Sequence, residues 1–235
     1  KLLIATGSQN KKIKINKLKD KDIFYLRNIN ESINIKKKFN NLKNILIIGG
    51  GFIGLEIASS ANQLGKKVAV IEQEASLMGR VVPKEIADII KKVHTKNGVD
   101  IHLNTNIKSA FKDNEMYNIT LRNGTNLKSD MIIAGIGAVA NTKLFEGTSL
   151  KIDNGILTDE YGQTSIKNVY AAGDVANFFH PLYKSHIRLE SWKHAQNHGV
   201  IVGKNIVGHK TIYNEIPWMW SDQYNLNLQL TGKCD

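Results

Sequence analysis

Cysteine is almost absent from these 235 residues: Cys234 stands alone, so no disulfide can close within the sequence, as in chains from a reducing compartment. Long apolar runs are missing too. The richest, Ile45 to Leu55, is interrupted by four glycines and stopped by Glu56, far short of the roughly 18 apolar residues that a membrane span needs. The opening residues carry no secretory-signal pattern, and a cytoplasmic protein is expected. The sequence begins at Lys1 rather than at methionine, and Leu2-Leu3-Ile4-Ala5 already reads as a buried strand, so the expectation is a chain cut from something longer. Arginine is the scarce cation, with only Arg27, Arg80, Arg122 and Arg188 among 32 basic residues. Lysine without arginine or interleaved aromatics is a poor nucleic-acid signature, so neither a nucleic-acid nor a membrane partner is expected.

What is present is a globular composition, because 42% hydrophobic residues can bury a core that a disordered chain could not. The net charge of +11 is unevenly spread. Residues 1–43 hold twelve Lys/Arg against Asp20, Asp22 and Glu31, which accounts for most of the excess. Such a stretch is either a solvated, composition-biased surface or a steering patch for an acidic partner.

Residues 8–22 are polar, lysine-rich and without either period, which predicts a surface connection. Asn30 is predicted to cap a helix running to Phe39. The β-branched run Asn44-Ile45-Leu46-Ile47-Ile48 predicts a strand buried on both faces. Apolar positions at helical spacing follow from Leu55 until Gly65, and Lys67 to Glu72 predicts a second strand, so the segment is a βαβ unit of a parallel sheet. Pro83 opens another helix toward Asn97-Gly98. Strands are predicted at Val99 to Leu103 and Met131 to Ala134, with a hairpin of Met116 to Leu121 and Asn126 to Lys128 around Asn123-Gly124. Beyond Gly137 come short strands (Ile156 to Thr158, Asn168 to Ala172) and a helix from about Glu190 to Val207.

Gly49-Gly50-Gly51-Phe52-Ile53-Gly54 fits G-x-G-x-x-G between strand and helix. Gly49 serves the tight turn, Gly51 the close approach of a pyrophosphate to the helix N-terminus, and Gly54 the packing of helix on strand. A glycine-rich turn without a ligand is the plain alternative. Glu72 ends the second strand where a carboxylate can hold both ribose hydroxyls and repel a 2′-phosphate, which favours NAD over NADP. Arg80, eight residues on, can supply a cation that weakens that preference. In Val169-Tyr170-Ala171-Ala172-Gly173-Asp174 a strand places a carboxylate at its carboxyl end, where α/β sheets bind ligands; an ordinary turn aspartate is the alternative.

Leu2-Leu3-Ile4-Ala5-Thr6-Gly7-Ser8, the glycine loop with Glu72, and Tyr170 to Asp174 together resemble the flavoprotein oxidoreductases with two dinucleotide-binding domains. Within them, Glu190 to Gly199 and Pro217-Trp218-Met219-Trp220-Ser221-Asp222-Gln223-Tyr224 are similar to the FAD-dependent NADH:ferredoxin and rubredoxin reductases of oxygenase systems. The resemblance implies an α/β fold of tandem Rossmann-like domains, the NAD domain inserted into the FAD domain, followed by the start of an α+β C-terminal domain. Its implied divisions are 1–22 (end of the first FAD segment and a linker), 23–137 (NAD domain), 138–212 (second FAD segment) and 213–235 (C-terminal domain). Family members open with an FAD-binding glycine unit and extend further at the C-terminus, so both ends are expected to lie beyond this sequence.

The resemblance also implies roles. Thr6 and Gly7 match the crossover beside FAD, and Gly173, Asp174 and Val175 the turn whose carboxylate binds the flavin side chain. Glu190, Ser191 and Trp192 match a helix N-terminus facing the flavin, and Gly135-Ile136-Gly137 the loop closing over NAD. Glu56 matches an acidic residue near the reacting rings, with helix capping as its alternative. Trp220 matches an aromatic beside the isoalloxazine, with a structural aromatic as its alternative. The implied cofactors are FAD and NADH, and the implied partner is a ferredoxin or rubredoxin. An NADH oxidase, a CoA-disulfide reductase of the same superfamily and a flavin-free NAD-binding module are the other readings. Two departures stand out: lysines after Ser8, and alanine rather than proline in Val139-Ala140-Asn141. His194 and His198 stand four apart on one predicted helix, but no third ligand accompanies them and no metal is expected.

Overall fold

The computed structural model describes residues 1–233, so Cys234 lies outside the described residues. Along the chain come β1 (Leu2–Ile4), β2 (Ser8–Asn10), β3 (Ile23–Phe24), α1 (Ile29–Phe39), β4 (Asn44–Ile48), α2 (Phe52–Gln63) and β5 (Lys67–Ile71). Next are α3 (Lys84–Lys96), β6 (Asp100–His102), β7 (Ile107–Asp113), β8 (Met116–Leu121), β9 (Asn126–Ser129), β10 (Met131–Ala134) and β11 (Ala138–Ala140). The remainder holds β12 (Ile156–Thr158), β13 (Val169–Ala171), β14 (Ala176–His180), β15 (Ser185–Ile187), α4 (Trp192–Ile206), β16 (Trp218–Gln223) and β17 (Leu226–Thr231). Among the described residues no helix is long and apolar enough to cross a membrane.

The chain forms two compact units, and the larger interrupts the smaller in sequence. Residues 10–137 and 221–228 make the larger one, whose parallel sheet has the order β3-β10-β4-β5-β6. Its centre is β4, in register with β10 (Ile45 opposite Met131, Ile47 opposite Ile133) and with β5 (Ile47 opposite Val70). Alternation along a strand sorts the side chains to two faces. Ile45, Ile47, Val68, Val70 and Ile133 pack against Ile35 and Phe39 of α1 and Ile57, Ala58 and Ala61 of α2. Leu46, Ile48, Ile71 and Ile132 pack instead against Ala110, Tyr117, Ile119 and Leu121 of the antiparallel sheet β7-β8-β9. Burial on both faces is why β4 shows no polar alternation.

The smaller unit comprises residues 1–9, 138–220 and 229–233. Here β1 runs parallel to β13, β12-β14-β15 form a second sheet, and Ile4, Ile156, Ala171, Val175 and Ala176 share a core.

Four sequence expectations change. The cap of α1 is Asn28, whose Oδ1 accepts from the Glu31 backbone N–H at 3.0 Å while the Glu31 carboxylate accepts from the Asn28 backbone, so Asn30 lies inside the helix. In β1 only Ile4 is buried; Leu2 and Leu3 are exposed, because β13 is the only strand paired with β1 among the described residues. The polar stretch after Gly7 includes β2, which pairs with β11. The expected hairpin gains a third strand, β7, whose seven residues bury only Ala110 and so carry no periodic signal.

Candidate functional site

In the larger unit, α2 follows β4 after a turn of three glycines, and Gly51 caps it with backbone alone. The glycines are there for separate reasons. Gly49 has φ +104°, and a Cβ on it would strike the carbonyl of Gly135; a Cβ on Gly54 would strike the carbonyl of Gly49. Gly51 differs, since a Cβ there would meet nothing within 4 Å. The gap above Gly51 and the N-terminus of α2, whose cap carries no side chain, form a cradle of the kind that admits a phosphate, and this fits a dinucleotide. Beside it Phe52 is half-buried and Ile53 is 45% exposed.

Glu72 stands just past β5 and closes the loop. Its Oε2 accepts from the Gly50 N–H at 2.7 Å and its Oε1 from the Glu74 N–H at 2.9 Å. A carboxylate has about four acceptor positions, so two remain for ribose hydroxyls. Arg80 does not join it: its guanidinium lies 3.5 Å from Glu74, with 77% of the side chain exposed. Gly135 packs over Gly54, where a Cβ would come within 3.1 Å of the Gly54 nitrogen, and Ile136 and Gly137 continue the loop outward from β10. The structure therefore joins Gly49, Gly54 and Gly135 in one cluster and Glu72 to the loop at Gly50.

Glu56 sits one turn into α2 and caps nothing. Its Oε1 accepts from the Ser221 hydroxyl at 2.6 Å. The Gln223 amide donates to Ser221 Oγ at 3.0 Å, and His94 Nε2 lies 2.8 Å from Gln223 Oε1. Tyr224, at the turn after β16, donates to Asn62 Oδ1 at 3.3 Å, and its ring meets that of His94 edge-on at 5.1 Å. Burial pushes the Tyr224 phenol up to about 12 and lowers the His94 imidazole below its ordinary value. Sequence reasoning singled out the Trp-Ser-Asp-Gln-Tyr string but not its connection to Glu56, and it missed His94, which carries no motif.

In the smaller unit the crossover is tied down by Asn141. Thr6 Oγ1 donates to the Asn141 carbonyl at 2.9 Å, Asn141 Nδ2 donates to the Thr6 carbonyl at 2.8 Å, and the Asn141 N–H donates to the Gly7 carbonyl at 2.9 Å. These bonds tie the segment at Asn141 to the crossover at Thr6 and Gly7. After β13, Gly173 turns with φ +73° and Asp174 Oδ2 accepts from Ser8 Oγ at 2.8 Å. Val175 is fully buried. Ser191 caps α4 through a bond from the His194 N–H at 3.3 Å, and Glu190 is paired with Arg188 at 2.5 Å. Trp192 is 67% exposed and meets Trp220 edge-on at 6.4 Å, while Trp220 stacks on Trp218 at 5.3 Å. The carboxylate of Asp174, the backbone turn at Gly173 and the capped start of α4 are donor and acceptor types that fit a flavin nucleotide.

His194 and His198 are buried in an aromatic cluster with Phe178 and Tyr213. His194 Nδ1 lies 3.0 Å from the Tyr213 hydroxyl, and His198 Nδ1 accepts from the Gly173 N–H at 3.3 Å. Desolvation lowers them to about 4 and about 3. Among the described residues no group of three or more His, Cys, Asp or Glu could hold a metal ion.

The sequence profile of the pyridine nucleotide-disulphide oxidoreductases matches residues 1–199. The chain is 33% identical over 208 residues to the anthranilate 1,2-dioxygenase system ferredoxin–NAD(+) reductase component of Burkholderia cepacia, covering 88% of this chain and 51% of that protein. It is 31% identical over 233 residues to the rubredoxin–NAD(+) reductase of Ectopseudomonas oleovorans, covering 99% and 60%. Among solved structures, a ferredoxin reductase of Rhodopseudomonas palustris superposes with a TM-score of 0.93 at 29% identity, over 99% of this chain and 58% of its own. The chain thus spans about half to three fifths of the length of the curated relatives it matches.

Proposed function

Because the chain belongs to the pyridine nucleotide-disulphide oxidoreductase family, we propose that it works within an FAD-dependent reductase that takes electrons from NADH and passes them to a ferredoxin or rubredoxin, as the reductase component of a cytoplasmic oxygenase system. The observation that carries the nucleotide half of this reading is the open space over Gly51 beside the Glu72 carboxylate. Bound FAD supplies a two-electron acceptor for hydride from NADH and a donor of single electrons for an iron–sulfur or rubredoxin partner.

The chain's own residues bind and orient. The backbone at Gly51 and the start of α2 hold the pyrophosphate of NADH, with Phe52 and Ile53 lining the approach. Glu72 takes the ribose hydroxyls and repels a 2′-phosphate, with Arg80 at its periphery. Gly135 to Gly137 close over the nicotinamide half, and Glu56 stands as the acid beside the reacting rings. Thr6, Gly7, Gly173, Asp174 and Val175 hold the flavin nucleotide. Glu190, Ser191 and Trp192 present the N-terminus of α4, which favours the negative charge that develops on reduction. Trp220 is the aromatic beside the flavin. The division into 1–22, 23–137, 138–212 and 213–235 follows from the same assignment.

The test is anaerobic addition of NADH to the purified full-length protein. Bleaching of a yellow flavin band, followed by reduction of a ferredoxin or rubredoxin, is expected. A colourless protein would overturn the reading in favour of a flavin-free NAD-binding module. The kcat/KM for NADH should exceed that for NADPH, and Glu72→Gln should narrow the gap; equal values in the wild type would refute the role of Glu72.

A further inference from the structure

Ser221, Gln223 and His94 are fully or almost fully buried, yet they form a polar chain that ends on Glu56. The chain has only one consistent direction. A hydroxyl carries one proton, and Ser221 gives it to the Glu56 carboxylate at 2.6 Å. Ser221 Oγ must therefore accept from Gln223, which makes the nearer group of that side chain its NH2 and turns Oε1 toward His94. An amide oxygen can only accept, so His94 must carry its proton on Nε2. Its other nitrogen, Nδ1, is buried with no hydrogen-bond partner, as suits a bare nitrogen in the neutral ring. Burial lowers the pKa of that ring below its ordinary value, which favours the neutral form.

The two ends of the chain lie on different elements, Glu56 on α2 and His94 on α3, with Ser221 and Gln223 supplied by β16. Tyr224 reinforces the arrangement from the adjacent turn through Asn62 on α2 and the ring of His94. A carboxylate one turn into a helix is otherwise free to swing. Here one oxygen is held by a donor that is itself held, so Oε1 is engaged and the swing of the group is restrained.

We propose that Ser221, Gln223 and His94 are positioning residues for Glu56, a one-way line of donated protons that holds its carboxylate in a single orientation for the nucleotide site. The proposal rests on the reading of Glu56 as the acid beside the reacting rings, and the experiment separates the two.

Flavin reduction by NADH is measured by stopped flow in the flavin-loaded protein for wild type, Glu56→Gln, Ser221→Ala and the double variant. Ser221→Ala should slow reduction roughly tenfold with little change in the Kd for NADH, and it should add nothing once Glu56 is glutamine. Equal, additive losses in both backgrounds would make Ser221 a structural anchor and overturn the proposal. A wild-type rate in Glu56→Gln would overturn the reading of Glu56 and the proposal with it, whereas a slow Glu56→Gln beside an unaffected Ser221→Ala would overturn the proposal alone. Independently of activity, nitrogen-15 NMR of labelled histidines should find His94 as the Nε2–H tautomer, with a shifted signal in Ser221→Ala. The Nδ1–H tautomer would refute the chain's direction.

Discussion

Single atoms decide the glycine loop. Gly51 and Gly54 belong to the same motif, but a methyl group at Gly54 has the carbonyl of Gly49 in its way and one at Gly51 has only open space. Gly54→Ala should therefore cost stability, about 1–3 kcal/mol for an overpacked contact, read by urea denaturation. Gly51→Val should unfold at the wild-type urea concentration and keep its flavin, yet lose NADH binding by titration. A variant that loses flavin while binding NADH normally would contradict the assignment of the loop. The motif was legible in the sequence because glycine is a chemical requirement there. The bonds from Gly50 and Glu74 to Glu72 were not, since they depend on where the chain after β5 turns back.

At the level of elements, helices and strands were legible where burial leaves a periodic pattern or a continuous apolar run. β4, β5 and α2 declare themselves, whereas β7 does not, because six of its seven residues lie outside the buried core. Capping was legible to within two residues: Asn28 and Asn30 are the same residue type, and only the reciprocal bond with Glu31 singles out the first. Asn28→Ala should destabilise α1 by about 1 kcal/mol, measured as a lower denaturation midpoint, while Asn30→Ala should be nearly neutral. The pair on α4 makes a pH prediction. His194 and His198 titrate near 6.5 when unfolded but near 4 and 3 when folded, so the unfolded chain binds protons that the native one refuses. Their stabilising effect is complete above pH 6.5 and is lost as pH falls toward 4 for His194 and toward 3 for His198, with a slope of up to about 1.4 kcal/mol per pH unit for each histidine. Denaturation midpoints that stay level from pH 7 to 4.5 would contradict this.

For the whole molecule, the order of segments matters more than their number. The unit of residues 10–137 interrupts the smaller unit, so residues 1–9 must find their place with residues 138–220, as β1 does by pairing with β13. That long-range closure is invisible to local pattern, although the resemblance to two-domain flavoproteins implied it. The lysine excess belongs to this scale too. Lys36, Lys37 and Lys38 are exposed in the last turn of α1, where cations complement the partial negative charge of a helix C-terminus. Replacing all three with glutamine should lower stability by a few tenths of a kcal/mol each and leave unchanged the salt dependence of the ferredoxin reduction proposed above. A flattened salt dependence would instead make the stretch a docking surface.

The sequence by itself determined the parallel βαβ core, the glycine turn at Gly49 to Gly54 and the carboxylate at Glu72, because each rests on a short-range hydrophobic pattern or on a residue type that local geometry demands. It also marked Ser221 to Tyr224 as unusual without saying why. Only the tertiary structure brought Ser221 to Glu56 and Gln223 to His94, contacts that span 165 and 129 positions. No local propensity encodes such a pairing; it exists because buried polar groups must find partners, and the fold alone decides which are within reach.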